Sequence, residues 1–266
     1  MSMSRICLSA FVGLVLVWLV VPILIIIPMS FSSTRFLTFP PPSLSLRWYQ
    51  AFFDNTAWMS ALRVTFIVAF CSAVLSTITG TAAAYALNMS DSKWVRRIQV
   101  LLLLPVVIPI IITAVGVFLV YSQIGLLGTL SGLVLANVML GLPYVITSVL
   151  VALRKFDPAQ EMVARSLGMN RWRAFFAVTL PQIRAGVLSG ALFAFISALD
   201  ETVVAIFISG GQNQTLTKRM FTALRDEIDP TIAAISAMLT LVSIVTVILV
   251  SLARKERGVG EKGARA

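Results

Sequence analysis

The stretch FAFISALDETVVAIFISG, residues 193–210, sets two adjacent carboxylates, Asp200 and Glu201, inside an otherwise apolar run. Acids so placed can receive a cation, carry a proton, or close a gate by hydrogen bonding. A charge near the centre of a bilayer costs about 2.5–3.5 kcal/mol on insertion scales, so such a group faces a cavity or a partner rather than lipid. On one continuous helix the two side chains diverge by about 100°. Gly190, Ala194, Ser197, Glu201 and Ala205 then share a small or polar stripe, and Phe193, Ile196, Asp200, Val203 and Phe207 a bulkier one. Small stripes suit a pore wall or close helix packing. That favours Glu201 as the cavity residue and leaves Asp200 to bond a neighbouring helix. Asn137 and Tyr144, on another apolar run, are further candidates for the cavity. A structural use of the acids, as a gate hydrogen bond or an interhelical ion pair, fits the same pattern.

Other chemistry is poorly supplied. The chain has no histidine, which removes imidazole acid–base catalysis and imidazole metal ligation. Cys7 and Cys71 stand in different apolar runs without C-x-x-C spacing, so neither a disulfide framework nor a thiolate metal site is expected. No nucleophile elbow is present, and an enzyme is not the expected reading. The pattern G-x-x-x-x-G-K-[ST] is also missing, so the chain is not expected to cradle ATP phosphates itself.

The solvent of these residues follows from composition. Of 266 residues 58% are hydrophobic and 12% charged, with a mean hydropathy of +0.94. Soluble chains carry about 25% charged residues, so lipid is the expected surroundings. Six spans are read, at 7–29, 60–88, 98–120, 131–152, 186–208 and 231–253. The first is longer than a signal-peptide core and lacks an A-x-A site, so it is expected to be a retained span. The net charge of +10 reflects topology rather than nucleic acid: with both termini cytoplasmic, 15 of the 21 lysines and arginines fall inside.

Three elements around the spans carry further expectations. Residues 30–59 contain Pro40, Pro41 and Pro42, then Trp48, Tyr49, Phe52, Phe53 and Trp58, and read as an amphipathic segment at the membrane surface. Pro105 and Pro109 should kink span three, and Gly141, Pro143 and Tyr144 should break span four near its middle. The basic tail, 254–266, reads as solvated and disordered.

The longest inside segment is LRKFDPAQEMVARSLGMNRWRAFFAVTLPQIRAG, residues 153–186. Asp157 as N-cap, Pro158 at the first helical position and Glu161 in the first turns mark a helix start. Gly168 can end that helix in a left-handed cap, and a second short helix, 170–178, is expected to stop before Pro181. Met162, Val163, Leu167, Trp172, Phe175 and Phe176 give the hairpin an apolar docking face.

At this segment the chain resembles the permease subunits of ATP-binding-cassette importers. Their signature is E-A-A, three residues, G, a run of about nine, then hydrophobic-L-P, read here as Glu161-Met162-Val163, Gly168 and Leu180-Pro181. SALDETVVAIFISG and TALRDEIDPTIAAISAML narrow the resemblance to the second permease of polyamine-type systems. The resemblance implies an all-α fold of six transmembrane helices, the type I importer permease (MetI-like) fold, in a bacterial inner membrane. It implies a first helix and external segment over 1–59, a transmembrane core over 60–253 and a coupling loop over 153–185. Glu161, Arg165, Gly168, Trp172, Phe175, Phe176, Leu180 and Pro181 would meet the ATPase. It implies two copies of a cytoplasmic ATPase that bind ATP and Mg, a second, paralogous permease subunit and a periplasmic substrate-binding protein. The cargo implied is a small cation such as spermidine or putrescine. Another small solute (thiamine, an opine, an aminophosphonate) and a proton-coupled secondary transporter are the alternatives.

Overall fold

The computed structural model describes residues 3–36, 38–90, 92–226, 229–245 and 248. In chain order the helices are α1 (Met3–Ser30), α2 (Arg47–Asp54), α3 (Thr56–Asn88), α4 (Lys93–Val107), α5 (Ile110–Ile124), α6 (Leu130–Leu153), α7 (Pro158–Ser166) and α8 (Arg171–Ala174). A π-helical turn, Phe175–Thr179, then leads into α9 (Leu180–Asp200), followed by α10 (Val203–Ile208) and α11 (Leu216–Asp226). Thr231–Val245 forms α12. The chain divides into two compact units, Met1–Met59 with Met220–Ala266, and Ser60–Arg219.

Among the described residues, four helical segments are long and apolar enough to cross a membrane: Cys7–Ser30, Thr56–Asn88, Leu130–Leu153 and Arg171–Asp200. The α4–α5 pair makes a fifth if it is one span. The expected sixth is represented by α12, and most of its remainder lies outside the described residues, as does the basic tail. Helices are the expected solution because lipid offers no partner for backbone N–H and C=O groups.

Within the first unit, α1 presents apolar side chains all round, with Leu14 69% and Trp18 75% exposed. The aromatic segment after it forms the short α2 and turns several of its rings inward. Trp48, Phe52 and Trp58 are buried, Phe52 meets Phe53 and Trp58 at ring separations of 5.1 and 6.3 Å, and Tyr49 pairs with Ser30 through their hydroxyls at 2.7 Å. Only part of the aromatic set, Phe53 among it, remains exposed.

The second unit is organised around α6. Val145, Ile146, Val149 and Leu153 of α6 pack with Ala84 of α3 and with Ile183 and Ala194 of α9. Leu133, Ala136 and Leu140 pack with Val64 and Val68 of α3, Ala114 of α5, and Val204 and Ile208 of α10. Ser72 and Ser76 of α3 donate to the carbonyls of Val134 and Val138 at 3.1 and 3.3 Å. A Cβ on Gly190 would lie 2.8 Å from the Cα of Val145, and one on Gly186 would lie 2.5 Å from the Cβ of Ala152. The glycines set how near α9 comes to α6.

Four expectations about helix breaks are corrected. Span three is not merely kinked: α4 and α5 meet at 105°. Pro109 holds φ at −52° and Ile108 is extended at ψ 134°, the conformation imposed on a residue before proline. Span four is not broken. α6 continues through Gly141 and Pro143, and Gly141 serves close contact with Ser76 and Ala194 instead. The second helix of the inside hairpin does not stop before Pro181. It continues through the π-helical turn into α9, where Pro181 sits in the first turn and needs no N–H partner. Span five ends early, since the helix stops at Asp200 and restarts at Val203.

Gly190→Ala is expected to destabilise the protein by about 1–3 kcal/mol, the usual cost of overpacking. Gly116→Ala, with nothing within 4 Å of its Cβ, is expected to be neutral or up to about 1 kcal/mol stabilising. Thermal unfolding of the two purified variants checks the contrast, and equal midpoints would refute the packing account.

Candidate substrate pathway and coupling face

The two acids sit at a helix break, and the break is built by one of them. After Asp200 the backbone turns extended at Glu201, φ −66° and ψ 113°. The Glu201 carboxylate accepts from Val204 N–H at 2.7 Å and Ala205 N–H at 2.9 Å. These are first-turn donors of α10 with no helical acceptor, so Glu201 acts as the cap of that helix through charge-assisted bonds. Its carbonyl accepts from Thr217 Oγ1 at 2.9 Å, and the residue is 7% exposed. Nearby, Lys218 Nζ donates to the carbonyl of Ser209, and burial pushes its ammonium below the ordinary lysine pKa. The premise of one continuous helix, with the acids on stripes 100° apart, therefore fails. Asp200 stands outside the cap and is exposed.

Both acids line a cavity of about 840 Å³. Its other wall is the α4–α5 elbow, Val107 to Ile110, with Tyr144, Phe193 and Ser197 between. Tyr144 thus lines the same cavity as the acids. Asn137 does not: it is buried, absent from this lining, and donates its Nδ2 to the carbonyl of Leu133 at 2.9 Å. Two prolines one turn apart were the signal of the elbow, and they fit a kinked helix and a helix shaped to line a cavity alike; the sharp turn between α4 and α5 was not legible.

The inside hairpin is assembled by its caps. Asp157 accepts from Ala159 N–H at 2.9 Å, and Asn170 from Arg173 N–H at 2.8 Å. Gly168 between them takes φ +94°, a region closed to most side chains. Met162, Val163, Arg165, Leu167, Trp172, Phe176 and Pro181 are exposed, Leu167 by 80% and Trp172 by 74%. Leu180 is half-buried. Glu161 points the other way. Its carboxylate accepts from Tyr85 Oη and from Thr179 Oγ1, both at 2.5 Å, and the residue is 3% exposed. Phe175 stands edge-on to the Tyr85 ring at 4.7 Å, with the Arg171 guanidinium 5.5 Å from the same ring. Of the residues expected to meet a partner, Glu161 and Phe175 instead tie the hairpin to α3. Counted back from Gly168, the three-residue spacing of the E-A-A signature falls on Met162-Val163-Ala164, one position after the Glu161 reading. The inward turn of Glu161 agrees with that shift.

Residues 76–258 match the family model described as the binding-protein-dependent transport system inner membrane component. The chain belongs to this family. This permease is therefore a multi-pass membrane protein and a transport subunit, as its apolar helices require. It is 29% identical over 249 residues to the spermidine/putrescine transport system permease protein PotC of Haemophilus influenzae, covering 93% of this chain and 96% of the relative. It is 30% identical to the putrescine transport system permease protein PotI of Escherichia coli, covering 84% and 81%. Among solved structures, a bacterial ABC transporter involved in the import of the acidic polysaccharide alginate superposes with a TM-score of 0.70 at 17% identity, covering 96% of this chain and 98% of that one. An amino acid ABC transporter gives a TM-score of 0.60 at 20% identity, with 79% and 98% covered. The permease fold of these importers is thus the fold of this chain, as the sequence resemblance implied.

Tyr85→Phe leaves the buried Glu161 with one donor fewer, at a cost of about 1–3 kcal/mol. Amide hydrogen exchange across α7 is expected to rise roughly tenfold. Unchanged exchange there would show that the network does not hold the hairpin.

Proposed function

We propose that this permease is one membrane subunit of an ATP-driven importer that carries a polyamine, spermidine or putrescine, inward from an external binding protein. The observation that carries the reading is the likeness to polyamine permeases along nearly the whole chain. The cavity is compatible with it, having Asp200 and Glu201 on one wall. A cation leaving water needs compensating acceptors, and charge-assisted hydrogen bonds are roughly twice as strong as neutral ones. Because Glu201 is committed to the α10 cap, Asp200 is the carboxylate we assign to the cargo, with Tyr144 beside it.

ATP and Mg would be bound by two copies of a separate cytoplasmic ATPase. The exposed apolar face of Met162, Val163, Leu167, Trp172 and Phe176 would dock in it, with Gly168 shaping the turn. A second permease subunit would complete the pathway. A solved alginate transporter is in complex with a ligand-bound periplasmic protein, which supports a binding-protein partner here. Both termini are assigned to the cytoplasm of a bacterial inner membrane, from the distribution of lysine and arginine.

In proteoliposomes holding the full complex, labelled spermidine or putrescine is expected to accumulate with ATP and loaded binding protein. Asp200→Asn should cut uptake at least tenfold at normal complex yield, whereas Glu201→Gln, losing half of its cap, should lower the unfolding midpoint as well. Wild-type uptake by Asp200→Asn would remove Asp200 from the cargo site, and uptake of only a different solute would overturn the polyamine assignment. Cysteine labelling checks orientation: Ser92 and Asn170 are expected to react from the cytoplasmic side, Gly128 and Asn213 from the outside.

A further inference from the structure

A second polar feature lies at the start of α4, away from the acids. Ser92 caps this helix, accepting from Trp94 N–H. Lys93, Arg96, Arg97 and Val100 follow at i, i+3, i+4 and i+7, which sets them on one helical face. All four are exposed, and together they line an open groove of about 500 Å³. Among the described residues, none of the three cations forms an ion pair with a carboxylate. Arg97 lies 4.9 Å from the ring of Trp94, which is itself 70% exposed. Past Val100 the helix turns wholly apolar, with Val100 61% and Leu101 64% exposed.

This order along one helix, three unpaired cations and an exposed tryptophan followed by exposed aliphatic side chains, is the polarity profile of a phospholipid read from headgroup to acyl chain. Tryptophan prefers the level of the headgroups. Guanidinium groups offer phosphate several donors in fixed geometry. Clustered lysines and arginines at a membrane edge bind anionic lipid, each adding about fivefold in affinity.

We propose that Lys93, Arg96 and Arg97 form a binding site for the headgroup of an anionic glycerophospholipid, with an acyl chain lying along Val100 and Leu101. The site is independent of the cargo and would anchor α4, the helix whose far end makes the cavity elbow. A lipid held there fixes the depth of that helix in the bilayer.

The test uses the assembled complex, purified in mild detergent and incubated with vesicles of phosphatidylcholine containing 0 or about 30% phosphatidylglycerol; native mass spectrometry counts retained lipid. Wild-type complex is expected to retain phosphatidylglycerol over phosphatidylcholine. Lys93→Gln, Arg96→Gln and Arg97→Gln should each weaken that preference about fivefold, and the three together about a hundredfold. Because removing all three cations also weakens an orientation signal, Arg96→Lys with Arg97→Lys provides the control, which should keep most of the preference. Phosphatidylglycerol retention unchanged in the triple variant would overturn the proposal. So would competition by inorganic phosphate at millimolar concentration, which would make the ligand a free anion. Loss of the ATPase from the variants with lipid preference intact would assign the face to that partner instead. Polyamine uptake is scored separately, so failure of the lipid site and failure of the cargo assignment give different results.

Discussion

The closeness of α6 to α3 and α9 is the constraint on which the rest of the second unit depends. At Gly80 and Gly190 a Cβ would lie 2.8 Å from atoms of Val145, and at Gly141 the same distance from Ser76 Oγ. Between lipid-embedded helices the hydrophobic effect supplies little attraction, because acyl chains are as apolar as leucine. Dispersion contacts and interhelical hydrogen bonds must do it, and both fall off steeply with separation. Glycines let the backbones approach, and the approach lets Ser72 and Ser76 reach carbonyls of α6.

Packed this tightly, α9 becomes a rod joining two sites of different chemistry. Its 21 residues span about 32 Å at 1.5 Å each. At one end Thr179 holds Glu161 and hence the hairpin. At the other, Asp200 and Glu201 reach the cavity. One helix packed along α6 therefore connects the hairpin to the acids. The π-helical turn at Phe175–Thr179 matters to this connection: it carries the chain from the short α8 into α9 without a loop, so the link is not slackened.

Two buried glutamates serve as joints in this arrangement, and each is satisfied by two donors. Glu161 takes hydroxyls from two different elements. Glu201 takes two backbone N–H groups from the helix that follows it. A buried carboxylate is costly unless its oxygens are hydrogen-bonded, and that cost makes each geometry specific: moving the partner away exposes an unsatisfied charge. The exposed apolar surface, by contrast, is where the chain makes no contacts with itself, as a membrane-embedded chain can.

Much was legible in the residues alone because it depends on local chemistry. Composition determined the solvent. Asp157, Pro158, Gly168 and Asn170 determined the hairpin, since caps and a positive φ are properties of one or two residues. The Gly168 to Leu180-Pro181 part of the signature carried the family, and most of the apolar letters of the hairpin its exposed face. What periodicity could not decide was where a helix yields. Pro143 passes through α6 unbroken while Pro109 bends the chain by 105°, and residue type does not separate them: Pro143 stands inside a helix packed along its length, whereas Pro109 follows an extended Ile108. Likewise Glu201 lines the cavity, as a helical wheel suggests, but the wheel does not show that a carboxylate close to free N–H groups captures them and ends the helix. Which way Glu161 turns was set by donors brought from elsewhere in the chain, Tyr85 and Thr179 to its carboxylate, and Thr217 comes in the same way to the carbonyl of Glu201. Those donors become neighbours only when the helices have packed.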